Sequence, residues 1–204
     1  IRDYFEIYEF VKTINKEEIV LIDSNKISYS ILKNIPAGVK VVNGMNPSTK
    51  FKAQKNSVEI ENTKKAHIRD GVAVTKFMYW LKNNIGKIEI TELSAADKIT
   101  ELRREQGKFI EESFGTIAGY ASNGAIIHYS VTKESNTTLK DRGLFLLDSG
   151  GQYFDGTTDI TRTFALGELT EEEKYHFTTV ARAMIRLSDV KFLHGVNGYY
   201  LAIL

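Results

Sequence analysis

Residues 146–164, "LLDSGGQYFDGTTDITRTF", contain two aspartates, Asp148 and Asp159, on either side of a turn-like stretch. The apolar run "GLFLLD" predicts a strand that ends at Asp148, and "TTDITRTF" predicts a second strand with Asp159 inside it. Between them, Asp155 and Gly156 give the turn signal of a β-hairpin. The stretch therefore predicts two antiparallel strands, each with one carboxylate.

The two aspartates can approach each other across this hairpin, although the sequence leaves the register open. A hairpin that places Asp148 and Asp159 directly opposite each other would have its tip at Tyr153 and Phe154, slightly before the Asp-Gly turn signal. The pairing therefore needs an offset or a bulge near Gly150 and Gly151. Carboxylates held close together repel unless a cation neutralises them, and oxygen ligands near an imidazole suit Mn²⁺, Co²⁺ or Zn²⁺. Two such ions can activate water for hydrolysis. The alternative, a turn-forming and an edge-strand aspartate, stays open on spacing alone.

One histidine, His128 in "GAIIHYSV", belongs to the same predicted sheet region and is the candidate catalytic imidazole. The alternative is a histidine at the edge of the core that a backbone group satisfies. His67, His176 and His194 are interpreted as structural or solvated.

Composition excludes several classes of protein. With 27 basic and 26 acidic residues the formal net charge of the 204-residue chain is +1, which favours neither nucleic acid nor an anionic membrane as partner. The absence of cysteine excludes disulfides and thiolate sites and fits a cytoplasmic protein. No apolar run approaches the roughly 20 residues of a membrane span. Phosphate-loop, HExxH, GxSxG and dinucleotide-binding motifs are also missing.

Periodicity predicts an α/β fragment in residues 1–50, with strands in 17–23 and 38–44 around a helix in 25–35. The polar stretch 46–56 is interpreted as a domain boundary. Long helices are predicted from Asn56 to Ile85, from Thr91 to Gly107 and from Thr170 on, and an antiparallel sheet, including "GAIIHYSV" as a strand, is predicted in 109–164.

"NGAIIHYS" (123–130) together with the stretch at 146–164 resembles the signature of the Xaa-Pro aminopeptidase (aminopeptidase P) branch of the M24 "pita-bread" metallopeptidases. The likeness extends from about Lys50 to the end of the chain. It implies an α/β (α+β) fold: residues 1–50 as the tail of a non-catalytic, creatinase-like α/β domain, and residues 51–204 as the first half of the pita-bread catalytic domain.

The resemblance also implies roles for three residues. Asp148 matches the aspartate that holds one metal ion, Asp159 the aspartate that bridges two, and His128 the histidine that contacts the substrate near the scissile bond. The expected cofactors are two divalent ions, commonly Mn²⁺, with Zn²⁺ or Co²⁺ as alternatives. The expected substrate is a peptide with proline in second position. Half of a pita-bread fold leaves apolar surface uncovered, which predicts a homodimer.

The chain departs from the family in one decisive respect. The family's other metal ligands, a histidine and two glutamates, match no residue here, so the site is expected to be incomplete and the chain alone inactive. Gly115 also stands where the family usually has proline. Both ends look like cuts through a longer protein. Three interpretations stay open: part of an Xaa-Pro aminopeptidase, part of an Xaa-Pro dipeptidase (prolidase), or a non-catalytic peptide-binding or assembly module.

Overall fold

The computed structural model describes residues 1–202, which divide into two compact units, Ile1–Ile60 and Glu61 onward. The fold is mixed α/β, as predicted.

The first unit is a small α/β arrangement. Strands β1 (Ile19–Ile22) and β2 (Lys40–Asn43) pair in parallel, and the helix between them provides the crossover that parallel strands need. Its helices are a 3-10 turn, Tyr4–Glu6, and helices α1 (Ile7–Lys12), α2 (Tyr29–Asn34) and α3 (Pro47–Ala53). Both predicted strands and the predicted helix between them are confirmed.

Helix α3 was not predicted, because the polar stretch at 46–56 has no apolar periodicity and was interpreted as a domain boundary. Local chemistry at its start accounts for it: the Asn46 side chain caps the amide of Ser48, and Pro47 occupies the first turn.

The second unit contains two long helices followed by strands and a third long helix. Its elements are α4 (Ser57–Asn84, which begins just before the unit boundary), α5 (Glu92–Arg104), β3 (Phe109–Glu112), β4 (Ile117–Tyr120), the 3-10 helix Ala121–Ala125, β5 (Leu144–Ser149), β6 (Gly151–Tyr153), β7 (Gly156–Thr157), β8 (Ile160–Ala165), α6 (Glu171–Asp189) and α7 (Gly198–Leu201). The strands form two antiparallel sheets, β4-β5-β8 and β3-β6-β7.

The predicted helix starts are confirmed by reciprocal capping. Asn56 and Glu59 exchange side-chain and backbone hydrogen bonds of 2.8 and 2.9 Å, and Thr170 and Glu173 do the same at the start of α6. At the start of α5 the partner of Thr91 is Ser94.

The core lies between α4, α5 and the sheet β4-β5-β8. Fully buried Phe77 and Ile99 from the helices meet Phe145 and Leu147 from β5. Burial of each of these side chains contributes about 1.5–3 kcal/mol relative to exposure. Since side chains alternate along β5, the residues between the buried ones, including Asp148, project from the opposite face.

Helix α6 is amphipathic as predicted, but its apolar side chains remain exposed. Phe177 is 48% exposed, Val180 69% and Met184 62%. The periodicity predicted the helix correctly without specifying a partner for its apolar face.

Two strand predictions were wrong. "GAIIHYSV" forms the end of the 3-10 helix followed by irregular backbone, and a turn bond from the Tyr129 amide to the Ile126 carbonyl replaces a strand ladder. Asp159 lies before β8 and outside any strand. The reason is that the preceding residue, Thr158, pairs elsewhere: its amide donates to the Gly151 carbonyl at 2.9 Å, and its carbonyl accepts from the Ser113 hydroxyl at 2.8 Å.

Candidate metal centre and substrate pocket

Asp148 lies near the end of the central strand β5. It is paired with Ile117 of β4 on one side and Thr161 of β8 on the other. The side chain is half-buried, and its Oδ1 is buried with no hydrogen-bond partner among residues 1–202. A buried acceptor without a donor is unfavourable unless something else satisfies it, and a cation can do so.

Asp159 lies at the same end of the sheet, two residues before Thr161, and its side chain is exposed. The predicted offset in pairing is confirmed, since Asp148 faces Thr161 and not Asp159. The chain leaves β5 at Gly150, where a Cβ atom would overlap the Thr158 carbonyl and the Ser113 hydroxyl. Only glycine fits this crossing.

Residues 146–164, called here the two-aspartate segment, contain a small hairpin, β6–β7, that a buried charge pair anchors. The Tyr153 hydroxyl donates to Asp70 Oδ1 at 2.8 Å, and Arg103 donates to the same carboxylate at 2.6 and 3.2 Å. Asp70 and Arg103 are fully buried, and Tyr153 is 1% exposed. Helices α4 and α5 therefore hold the hairpin that joins the two aspartates.

Asp155 at the hairpin turn provides a second anchor. Arg69 forms an ion pair with it, and Lys108 Nζ donates to its Oδ2 at 3.0 Å. Burial acts to raise the pKa of Asp155, but the hydrogen bonds from Lys108 and Arg69 outweigh it and hold that pKa below its usual value. In contrast, burial and the bond to Asp70 raise the pKa of Tyr153. Asp155 thus acts as an ion-pair partner within the hairpin.

His128 is exposed and lies in the irregular part of residues 121–137, called here the histidine segment. It lines an open pocket of about 430 Å³ together with Thr116 and Ile117. Ile117 is the β4 neighbour of Asp148, and the buried Thr116 hydroxyl has no hydrogen-bond partner in the part of the chain that the structure describes. The pocket therefore adjoins the strand end at which Asp148 lies.

Sequence reasoning missed Glu92, which is fully buried at the start of α5. Its carboxylate accepts hydrogen bonds from Tyr120, Asn123, Tyr129 and Thr137. The only signal in the sequence was a glutamate after the helix cap Thr91, which usually indicates a solvated first turn.

The donor set fits part of a metal centre. Asp148 offers a buried, unsatisfied oxygen and Asp159 an exposed carboxylate, and both suit hard divalent cations. Within residues 1–202, no group of three or more histidine, cysteine, aspartate or glutamate side chains is placed to hold a metal ion. Two carboxylates alone are fewer than the several converging ligands that a dinuclear metal centre needs.

Two models of known protein families match the chain, one over each unit. The model of Metallopeptidase family M24 matches residues 61–202, and the Creatinase/Prolidase N-terminal domain matches residues 1–59. Among the described residues, no helix is both long and apolar enough to cross a membrane.

Curated relatives agree with this match. A probable Xaa-Pro aminopeptidase P from Trichophyton verrucosum is 40% identical over 178 residues, 86% of this chain and 26% of that protein. One from Aspergillus oryzae is 39% identical over 183 residues, 89% of this chain and 28% of that protein. The chain thus spans little more than a quarter of the length of these relatives.

Solved structures show the same likeness. An X-prolyl aminopeptidase from Caenorhabditis elegans, described as a cytosolic enzyme with a di-nuclear active site, superposes with a TM-score of 0.88 at 31% identity, covering 98% of this chain and 34% of that one. Prolidase from Pyrococcus furiosus superposes with a TM-score of 0.70 at 23% identity, covering 92% and 52%, which indicates a shared fold.

Proposed function

The chain belongs to metallopeptidase family M24, and we propose that it supplies the part of an Xaa-Pro aminopeptidase active site that carries Asp148, Asp159 and His128. The observation that carries this proposal is the buried Oδ1 of Asp148, which lacks a donor at the strand end beside Asp159 and the His128 pocket. A structural aspartate in that position would be expected to have a partner.

The two aspartates take different roles in this proposal. Asp148, held on the central strand, would hold one divalent ion, and the exposed Asp159 would be the ligand shared by two. The proposed ions are Mn²⁺, with Zn²⁺ or Co²⁺ as alternatives. When bound, they supply Lewis acidity and a water nucleophile at neutral pH.

His128 is proposed to contact the substrate beside the scissile bond. Cleavage before proline releases a secondary amine, and the leaving nitrogen must gain a proton as the bond breaks. An imidazole within hydrogen-bond reach can donate it. The exposure of His128 beside a 430 Å³ pocket supports this role.

The remaining assignments are proposals for the whole protein. Residues 1–50 belong to a non-catalytic α/β domain and residues 51–204 to the first half of the pita-bread domain, and the protein is cytoplasmic. For the 204-residue chain by itself, the exposed apolar side of α6 supports a homodimer. A sizing experiment that gives a monomer at all concentrations would contradict the homodimer.

The test is hydrolysis of three peptides by the gene's full product, each with and without Mn²⁺. Release of arginine from Arg-Pro-Pro, but not from Arg-Ala-Pro, is expected, and only with metal present. Faster cleavage of the dipeptide Arg-Pro than of Arg-Pro-Pro would indicate a prolidase instead. Absence of cleavage of all three would overturn the proposal.

A further inference from the structure

We infer that Glu92 is the positioning residue for His128, holding the histidine segment in place from the first turn of α5. This inference rests on the role proposed above for His128. Glu92 touches neither His128 nor the two aspartates in the described hydrogen bonds, so it acts through the chain on either side of the histidine.

The contacts of Glu92 surround His128 along the sequence. Oε1 accepts from the Tyr120 amide at 2.7 Å and from Asn123 Nδ2 at 3.0 Å. Oε2 accepts from the Tyr129 hydroxyl at 3.0 Å and from the Thr137 amide at 3.1 Å. One carboxylate therefore fixes the entry, the middle and the exit of the segment.

The histidine segment needs such an anchor because it has no strand ladder around His128. Residues 126–131 are irregular, and His128 itself is exposed. Its neighbour Tyr129 is 7% exposed, and burial, reinforced by the Glu92 carboxylate, raises the pKa of its phenol. Because consecutive Cα atoms lie about 3.8 Å apart, fixing Tyr129 limits where His128 can be.

The acceptor has to be a carboxylate for the arrangement to hold. All four partners donate from neutral groups, and two carboxylate oxygens provide enough lone pairs to accept from every one of them. A glutamine of the same shape has a single acceptor oxygen, and its amide N–H groups would face the Thr137 amide. The start of a helix also favours negative charge. Glu92→Gln therefore keeps the volume of the side chain but loses part of the anchor.

The test is a double-mutant cycle in the gene's full product with Arg-Pro-Pro and saturating Mn²⁺. Glu92→Gln is expected to lower kcat about tenfold to a hundredfold, with little change in KM or metal content, because displacement of a catalytic group by about 1 Å costs up to about 100-fold. In a His128→Ala background the same substitution is expected to change kcat less than about twofold.

The matched control is Glu101→Gln. Glu101 is an exposed glutamate of the same helix that pairs with Lys98, and its substitution should leave kcat unchanged. If Glu92→Gln does not fold, Tyr129→Phe removes one donor and should show the same non-additivity with a smaller loss. An equal loss of kcat in both backgrounds would overturn the inference while leaving the proposed function intact. Wild-type turnover by His128→Ala would instead remove the role of His128, and the inference with it.

Discussion

The two-aspartate segment and the histidine segment are each anchored by one buried carboxylate from a helix, but the two carboxylates have different partners. Asp70 of α4 is paired with the buried cation of Arg103 and accepts from Tyr153. Glu92 of α5 accepts only from neutral donors. The difference indicates that disrupting the Asp70 anchor lowers the free energy of unfolding more, while the Glu92 anchor can be weakened without unfolding the protein.

The largest effect is expected from Asp70→Asn. The substitution leaves the Arg103 guanidinium buried without its counter-ion, which costs roughly 3–5 kcal/mol. Glu92→Gln leaves no buried cation and should cost about 1–3 kcal/mol. Urea unfolding of both variants measures the two losses of stability. A loss for Asp70→Asn at or below that for Glu92→Gln would contradict the stronger anchoring by Asp70.

A second variant sharpens that result. Replacing both charges together with the hydroxyl that Asp70 accepts from, by Asp70→Leu with Arg103→Met and Tyr153→Phe, should recover most of the stability, since apolar groups of similar volume often replace buried ion pairs at no net cost. Failure to recover would mean that the pair specifies the packing of α4 against α5 in a way that its charge alone does not explain.

The next largest effects should differ between the two segments, with Mn²⁺ binding affected in one and kcat in the other. Tyr153→Phe and Tyr129→Phe each remove one hydroxyl that donates to a buried carboxylate, and each should cost roughly 1–2 kcal/mol. Tyr153→Phe should weaken Mn²⁺ binding up to about tenfold, because it loosens the hairpin between the aspartates. Tyr129→Phe should lower kcat at saturating metal instead. Titration of activity against Mn²⁺ distinguishes them, and identical metal dependence would contradict the separation.

The smallest effect concerns pH. Because the folded-state pKa of Asp155 is lowered, its contribution to stability is fully present above the ordinary value of 3.8 and is lost as the pH falls through the lower folded value. Asp155→Asn should therefore cost about 1 kcal/mol or less at pH 7 and progressively less below about pH 4. Unfolding free energies of the two proteins at several pH values measure the difference, which should not grow on acidification.

The sequence predicted the two segments unequally, for physical reasons. In residues 146–164, strand propensity, the turn signal and the glycine pair all indicated one hairpin region, and only the position of Asp159 was wrong. That error arose because Thr158 forms hydrogen bonds with Gly151 and Ser113. Such contacts with residues distant in the sequence cannot be predicted from the alternation of residues around Asp159. In the histidine segment, "GAIIHYSV" has strand propensity, but side-chain bonds to a distant Glu92 override it.

The role of Asp159 as a metal ligand is tested by the Mn²⁺ content and the Arg-Pro-Pro turnover of Asp159→Asn in the gene's full product. The control is Asp189→Asn, an exposed aspartate at the end of α6. Asp159→Asn is expected to lose turnover by at least about a thousandfold and to bind less than the wild-type amount of metal, while Asp189→Asn keeps both. Wild-type turnover and metal content in Asp159→Asn would contradict the assignment of this segment as the metal centre.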